Sequence, residues 1–344
     1  MRKLFTLTLV ASLLNIVAFA KIWRVNNNIG ITADFTSLQA AHDGAVSGDT
    51  IYLESSPTSY GGLTSSKKLT VIGTGYFLDV NPDLQAFTLP SKVDAITLNA
   101  GSSGSTYEGL SFNANALNIY VSDVVVRRNN FGAFNGNDPG YYAGTVGLYA
   151  ALSNVIITQN FSVIISNNSP CTGILITNNL LSWNSYYGEG TTQNCVQLHT
   201  STVAILKNNI IRRGTLLAYN SNITNNIIYN GFLGGSGNLV SNNMGNSTQF
   251  GTADGNKSSV DMATVFVSTG SYDNYFKLKT GSPAIGAGYG STAQTPVDAG
   301  MFGGSTPYVL SGIPAIPSIY YFKNQPVGSN SNPIDVQVKV RSNN

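Results

Sequence analysis

The sequence has few charged residues. Asp, Glu, Lys and Arg make up 10% of its 344 residues, whereas a typical protein has about 25%. The formal net charge is +2, so the chain lacks the basic balance by which proteins bind nucleic acid or anionic membranes. Its polarity comes from uncharged groups, since 39 residues are Asn and 36 are Gly. With 18 Tyr and 15 Phe, the chain is too aromatic for intrinsic disorder, and we expect it to fold.

Histidine and cysteine are equally scarce, with two residues of each. His42 and His199 are far apart in sequence, so we expect no two-histidine metal site and no cofactor. Cys171 and Cys195 could form a disulfide in an oxidising compartment, or both could be buried thiols. The sequence leaves both alternatives open.

Long apolar runs are absent beyond the N-terminus. A basic start is followed by an apolar run over residues 4–19, and Ala18-Phe19-Ala20 matches the pattern that signal peptidase cleaves. We therefore predict a signal peptide over residues 1–20 and export to the periplasm, the cell surface or the medium. No later stretch has eighteen consecutive apolar residues, so we expect no membrane insertion after cleavage.

The middle of the chain repeats a short pattern. Each copy has two or three β-branched or Leu residues, a polar spacer, Asn-Asn or once Gln-Asn, and an apolar residue. The second Asn of each copy is at Asn130, Asn160, Asn179, Asn209, Asn226 and Asn243. These positions are 17–30 residues apart, and internal repeats of about twenty residues are typical of a solenoid.

A second short strand is predicted before each of the first five copies: Leu117–Ile119, Val146–Leu148, Val163–Ile165, Val196–Leu198 and Leu216–Leu217. The Ser, Asn and Gly corners between these strands leave no room for crossover helices. This pattern predicts a coil whose turns stack as parallel strands. An amide has both a donor and an acceptor, so we also predict that the stacked Asn side chains form a hydrogen-bonded ladder.

These turns resemble the right-handed parallel β-helix of the pectin-lyase-like superfamily. Residues 34–46 are similar to its capping helix, with Asp34 as N-cap and Phe35, Leu38 and Ala41 on one face. Residues 282–288 are similar to its closing segment, and residues 68–78 look like uncharacterised β-helix proteins that Bacteroidota secrete. The resemblance implies an all-β solenoid over residues 21–310.

The resemblance carries little chemistry. The clustered aspartates and Gly-His-Gly motif of polygalacturonase-like members are missing, and so are the acidic calcium ligands of pectate-lyase-like members. Asp138 and Glu189 are weak catalytic candidates, because the register brings this one carboxyl pair near to the separation that glycosidases use. A basic region could receive an acidic sugar or simply cover the outer wall; it comprises Arg127, Arg128, Lys207, Arg212 and Arg213.

Two turns of the coil carry longer loops, where functional residues are commonly placed. The loops contribute Phe134, Tyr141 and Tyr142, and Trp183, Tyr186 and Tyr187. Phe134 and Trp183 both follow the second Asn by four residues, which predicts the same position two turns apart, about 10 Å from each other.

A second aromatic feature is predicted on the strands. Tyr120, Tyr149 and His199 follow the inward pattern of the second strand, so they should point outward in one column. With the loop aromatics they would line a shallow groove for a glycan, although exposed aromatics in strands also stack for packing alone.

The tail, residues 311–344, is punctuated by proline. Residues 334–340 alternate apolar and polar side chains, and with residues 319–322 they predict a hairpin. Its strand could cap the coil or pair with another subunit. The sequence as a whole favours an exported, non-catalytic β-helix protein that contacts glycans, such as polysaccharide, or serves at the cell surface through its aromatic loops. The alternatives are a polysaccharide lyase or glycoside hydrolase and a structural or self-assembling protein.

Overall fold

A computed structural model describes residues 20–135, 138–329, 331 and 333–343, without the side chains of residues 134–141. Helix α1 spans Leu38–Gly44. In chain order the strands are β1 (Ile22–Val25), β2 (Thr50–Leu53), β3 (Leu63–Ser65), β4 (Thr70–Ile72), β5 (Ser91–Lys92), β6 (Ile96–Leu98), β7 (Thr106–Glu108), β8 (Leu110–Ser111), β9 (Leu117–Ile119), β10 (Val125–Arg127), β11 (Gly132–Asn135), β12 (Asp138–Leu148), β13 (Ile156–Thr158), β14 (Val163–Asn167), β15 (Ile174–Thr177), β16 (Leu180–Ser182), β17 (Asn194–Gln197), β18 (Ala204–Lys207), β19 (Ile210–Leu217), β20 (Asn222–Thr224), β21 (Ile227–Ile228), β22 (Gly231–Gly234), β23 (Leu239–Ser241), β24 (Met244–Gly245), β25 (Ser318–Asn324) and β26 (Val336–Arg341).

The strands stack into two long sheets along a coil. One sheet has the order β1-β2-β4-β7-β10-β13-β15-β18-β20-β23, and the other the order β24-β21-β19-β16-β14-β12-β9-β6-β3. Successive turns pair in parallel in both sheets, as where β13 lies between β10 and β15. The chain is therefore a right-handed parallel β-helix; the repeat predicted the stacked parallel turns, and the resemblance implied the right-handed form.

The inner core follows from strand alternation. Inward side chains from successive turns lie directly above one another, and one such column is fully buried and consists of Val71, Tyr107, Val126, Ile157, Ile176, Leu206 and Ile223. Branched and aromatic side chains fit this stacking because each packs on the equivalent residue of the next turn.

The predicted Asn ladder is present, with two corrections. The side-chain amide of each ladder Asn donates to Oδ1 on the next turn at 2.9–3.1 Å, through Asn129, Asn160, Asn179, Asn209, Asn226, Asn243 and Asn256. The first member is thus Asn129 and not Asn130, whose Oδ1 accepts from the Gly132 amide. The ladder also extends one turn further than predicted, to Asn256.

The residue before each of the first six ladder Asn residues has a different role. It lies in the left-handed region, with φ of 54–60° at Arg128, Gln159, Asn178, Asn208, Asn225 and Asn242, a conformation that Asn tolerates better than most residues. Its side chain points to residues 287–313, which we call the return segment. Bonds to that segment include Asn242 Nδ2 to Ala287 O, Asn208 Nδ2 to Asp298 O, Gln159 Nε2 to Pro307 O and Arg128 Nη1 to Ile313 O.

The return segment closes a second apolar core outside the coil. The apolar residues after the ladder Asn, such as Phe161, Leu180 and Ile210, pack there together with Met301 and Tyr308. The apolar residue that follows the ladder Asn thus faces this outer core rather than the coil interior.

The capping helix is present but begins later than predicted. Its N-cap is Ser37, whose Oγ accepts from the Ala40 amide at 3.3 Å. The proposed N-cap Asp34 instead accepts from the Arg24 amide. Leu38 and Ala41 are buried, as expected.

The tail forms the predicted hairpin, with β25 and β26 antiparallel. The Ala86 amide donates to Ile319 O, and Arg341 Nη2 donates to Leu84 O. Both thiols, Cys171 and Cys195, are buried and free. In the described part of the chain no helix combines the length and apolar character that a membrane crossing needs.

Candidate functional site

The two longer turns open side by side on the second sheet. In the first, β11 and β12 form an antiparallel hairpin. In the second, the chain leaves between β16 and β17 and forms a 3-10 turn over Ser185–Tyr187. The Ala143 amide donates to Asn184 Oδ1 at 2.6 Å, so the loops touch each other.

Aromatic rings cover this junction. The aromatic surface, as we name it, consists of Tyr142, Trp183, Tyr186 and Tyr187. The Tyr187 ring lies 6.2 Å from that of Trp183 and 5.3 Å from that of Tyr186, measured between centroids. Tyr186 and Tyr187 are 61% and 58% exposed. Rings this exposed can stack on a ligand without any rearrangement of the core.

Three predicted residues of the first loop cannot be placed. The side chains of Phe134, Asp138 and Tyr141 lie outside the described residues. The equivalence of Phe134 and Trp183 was nevertheless wrong by one residue, because the ladder begins at Asn129. The residue four positions after Asn129 is Ala133.

The predicted outward column is present on the strands. Tyr120 and Tyr149 are exposed and stack with ring centroids 5.5 Å apart and an interplanar angle of 29°. His199 lies in the same column but two turns from Tyr149, since Asn168 occupies the turn between. Nδ1 of His199 accepts from the Ser201 amide, which fixes the ring on its own corner.

Glu189, in the second loop, belongs to an ion-pair cluster. Arg212 donates to it with both Nη atoms, and Arg213 Nε donates to Oε1 at 2.9 Å. Asn230 Nδ2 donates to Oε2 at 3.1 Å. The Arg212 guanidinium also lies 4.6 Å above the Tyr229 ring, so the aromatic face supports it.

This environment argues against Glu189 as a proton donor. Burial alone would raise the pKa of Glu189, but the hydrogen bond and charge of Arg212, together with Arg213, outweigh it and lower the pKa. A general acid of a glycosidase needs the opposite shift. Since the Asp138 side chain is not described, the carboxyl pair itself stays a prediction.

A shallow groove of about 240 Å³ continues from Glu189 along the coil. The amide groove, as we name it, is lined by Glu189, Gly190, Asn230, Gly231, Phe232, Asn246, Ser247 and Gln249. Its amides form a chain in which Gln249 donates to Asn246, Asn246 to Asn230, and Asn230 to Glu189, at 2.7–3.1 Å. Phe232 is 42% exposed and offers an apolar face.

Sequence reasoning missed the amide groove. Asn230 follows its ladder residue, Asn226, by four positions, as Trp183 follows Asn179. That shared offset was the available signal, but Asn is so frequent in this chain that one more Asn did not stand out. Within the described residues, no group of three or more His, Cys, Asp or Glu side chains is placed to bind a metal.

Comparison with protein-family models and with curated proteins finds no match. Among solved structures, the crystal structure of pectate lyase Pel9A is similar over 83% of this chain and 97% of that one. The sequence identity is 14% and the TM-score 0.38. The β-helix is assigned from this chain's own strand order.

Proposed function

We propose that this chain is an exported, non-catalytic protein that binds polysaccharide along the aromatic surface and the amide groove. The exposed rings of Tyr186 and Tyr187, next to a groove lined by amides, carry the proposal. Aromatic faces with a few directed polar groups are the usual composition of a small-molecule site.

The geometry also suits a polymer rather than a small sugar. The second loop and the last turn of the groove, which carries Asn246, are three turns apart, or about 14 Å at the usual strand spacing. Because the strip is open at the surface, an extended chain could lie along it without threading through the protein.

The non-catalytic part of the proposal rests on Glu189. The carboxylate of Glu189 accepts four hydrogen bonds from arginine and asparagine side chains. A carboxylate held in this way stabilises the loop, but it is poorly suited to transfer a proton.

Binding of the purified protein to a polysaccharide array tests the proposal. Tyr187→Ala should weaken binding by about 1–2 kcal/mol, or roughly 5- to 30-fold, as expected for a central aromatic contact. Tyr289→Ala removes a tyrosine that is 67% exposed outside this surface and should leave binding unchanged. Equal binding of both variants and the wild type would contradict the proposal, and release of unsaturated or reducing sugars would favour the lyase or hydrolase alternative.

A further inference from the structure

The charged groups at the amide groove lie at different depths below the protein surface. Glu189 is the outermost group, with its side chain 46% exposed, whereas Arg212 and Arg213 beneath it are 18% and 9% exposed. A ligand that enters from solvent therefore meets a carboxylate before it meets either guanidinium.

The guanidinium groups of both arginines also have a partner within the chain, Glu189. Arg212 engages Glu189 with both Nη atoms, and Arg213 does so with Nε and Nη2. Pairing with both carboxylate oxygens, as Arg212 shows, is how arginine recognises a carboxylate of a ligand. In this chain Glu189 takes the place that such a ligand carboxylate would occupy.

The rest of the described groove lining is uncharged, so the charges at this site are those of Glu189 and of Arg212 and Arg213 beneath it. Glu189 is the one charged residue among its described lining residues, and the others are Gly, Asn, Phe, Ser and Gln. Amides hydrogen-bond to hydroxyl groups as both donor and acceptor. The hydroxyl groups of a neutral polymer can add hydrogen bonds to these amides, whereas a polyuronate would bring its carboxylates towards the exposed carboxylate of Glu189, beneath which both guanidinium groups already have a partner.

We infer that the groove selects neutral polysaccharides over polyuronates and that Glu189 is the residue that sets this preference. The inference rests on the proposed function, since it names the ligand class of the same site. It opposes, for Arg212 and Arg213, the alternative that the basic region receives an acidic sugar.

Two substitutions with the same change in net charge test the inference. Glu189→Gln removes the outer carboxylate and leaves both arginines in place. Glu54→Gln removes a carboxylate that pairs with Arg24 at the N-terminal turns of the coil, away from the groove. Binding of each variant would be measured on immobilised mannan and mixed-linkage β-glucan, as neutral probes, and on polygalacturonate and alginate, as acidic probes.

The wild type should bind at least one neutral probe and bind the acidic probes about fivefold more weakly, because one close like-charge contact costs about 1 kcal/mol in water. Glu189→Gln should gain binding to the acidic probes that is lost in high salt, and Glu54→Gln should behave as the wild type. The wild type's binding to the neutral probe should not depend on salt, a measurement that needs no variant.

The outcomes separate the two proposals. Wild-type binding to polygalacturonate that equals or exceeds binding to the neutral probes would overturn the neutral preference and leave glycan binding intact. Acidic binding that is equal in Glu189→Gln and Glu54→Gln would overturn the role of Glu189. No binding to any probe would overturn the proposed function itself.

Discussion

Removal of one ladder amide tests the architecture most directly. Asn209 is fully buried, and its Nδ2 donates to Asn226 Oδ1 and Ile176 O, both at 2.9 Å. Its Oδ1 accepts from the backbone amide and the side chain of Asn179, both at 3.0 Å. Asn209→Ala removes these four bonds at once.

The expected cost follows from the groups that lose a partner. Asn179 Nδ2 keeps its bond to Ile157 O, and Asn226 Oδ1 keeps its bond from the Asn209 amide. The Asn179 N–H becomes an unpaired buried group, which costs about 1–3 kcal/mol, and the Ile176 carbonyl loses one hydrogen bond, worth about 0.5–1.5 kcal/mol, but keeps its strand pairing. We therefore expect Asn209→Ala to lower the free energy of unfolding by about 2–5 kcal/mol.

Urea unfolding, followed by circular dichroism, measures this change. Asn168→Ala is the matched control, because Asn168 is exposed and such a change should stay within about 0.5 kcal/mol of the wild type. Asn209→Asp should be at least as damaging as Asn209→Ala, since it keeps the acceptor but turns an oxygen towards Asn226 Oδ1. If Asn209→Ala and Asn168→Ala unfold at the same urea concentration, the ladder does not hold the turns together.

Two further predictions concern the loop and the tail. The pKa of Glu189 is lowered in the folded chain, so its ion pairs stabilise the fold above the ordinary glutamate pKa of about 4.3, and this stabilisation is lost as the pH falls through the lower folded value. The wild type should therefore have a higher urea midpoint than Glu189→Gln at neutral pH, and the two midpoints should approach each other in strong acid. Urea midpoints that differ by the same amount at every pH would refute this. Deletion of residues 327–344 should lower the mass of any assembly in solution with little loss of monomer stability, since Val336, Val338 and Val340 are all exposed. An unchanged mass with a lower urea midpoint would instead identify strand β26 as a cap of the coil.

The repeat predicted the fold because its spacing is set by the backbone. Each turn needs one residue in the left-handed region and one buried amide, and Asn serves both, which produces the visible Asn-Asn pairs. The first copy was misaligned because Arg128 takes the left-handed position there, so both Asn129 and Asn130 resembled the ladder residue. The N-cap was misplaced for a similar reason, since both Asp34 and Ser37 are good capping residues.

The candidate site was predicted only in part. The loop aromatics were predicted because two spacings in the repeat, from Asn130 to Asn160 and from Asn179 to Asn209, are longer than the others and so indicate inserted loops. The pairing of Glu189 with Arg212 and Arg213 was not, because it depends on how the loop folds back over the next turn. The groove beyond it was missed since its amides resemble the many structural Asn residues of the chain.

The return segment changes how this solenoid should unfold. In a simple repeat array each turn contacts only its neighbours, so one end can open while the other stays intact. Here one stretch, residues 287–313, is bonded to successive turns from Asn242 back to Arg128. The turns cannot separate one at a time without first releasing it, which favours a single cooperative transition. Since these residues leave the ribosome after all the turns they cover, the coil gains these long-range contacts only after those turns have been synthesised.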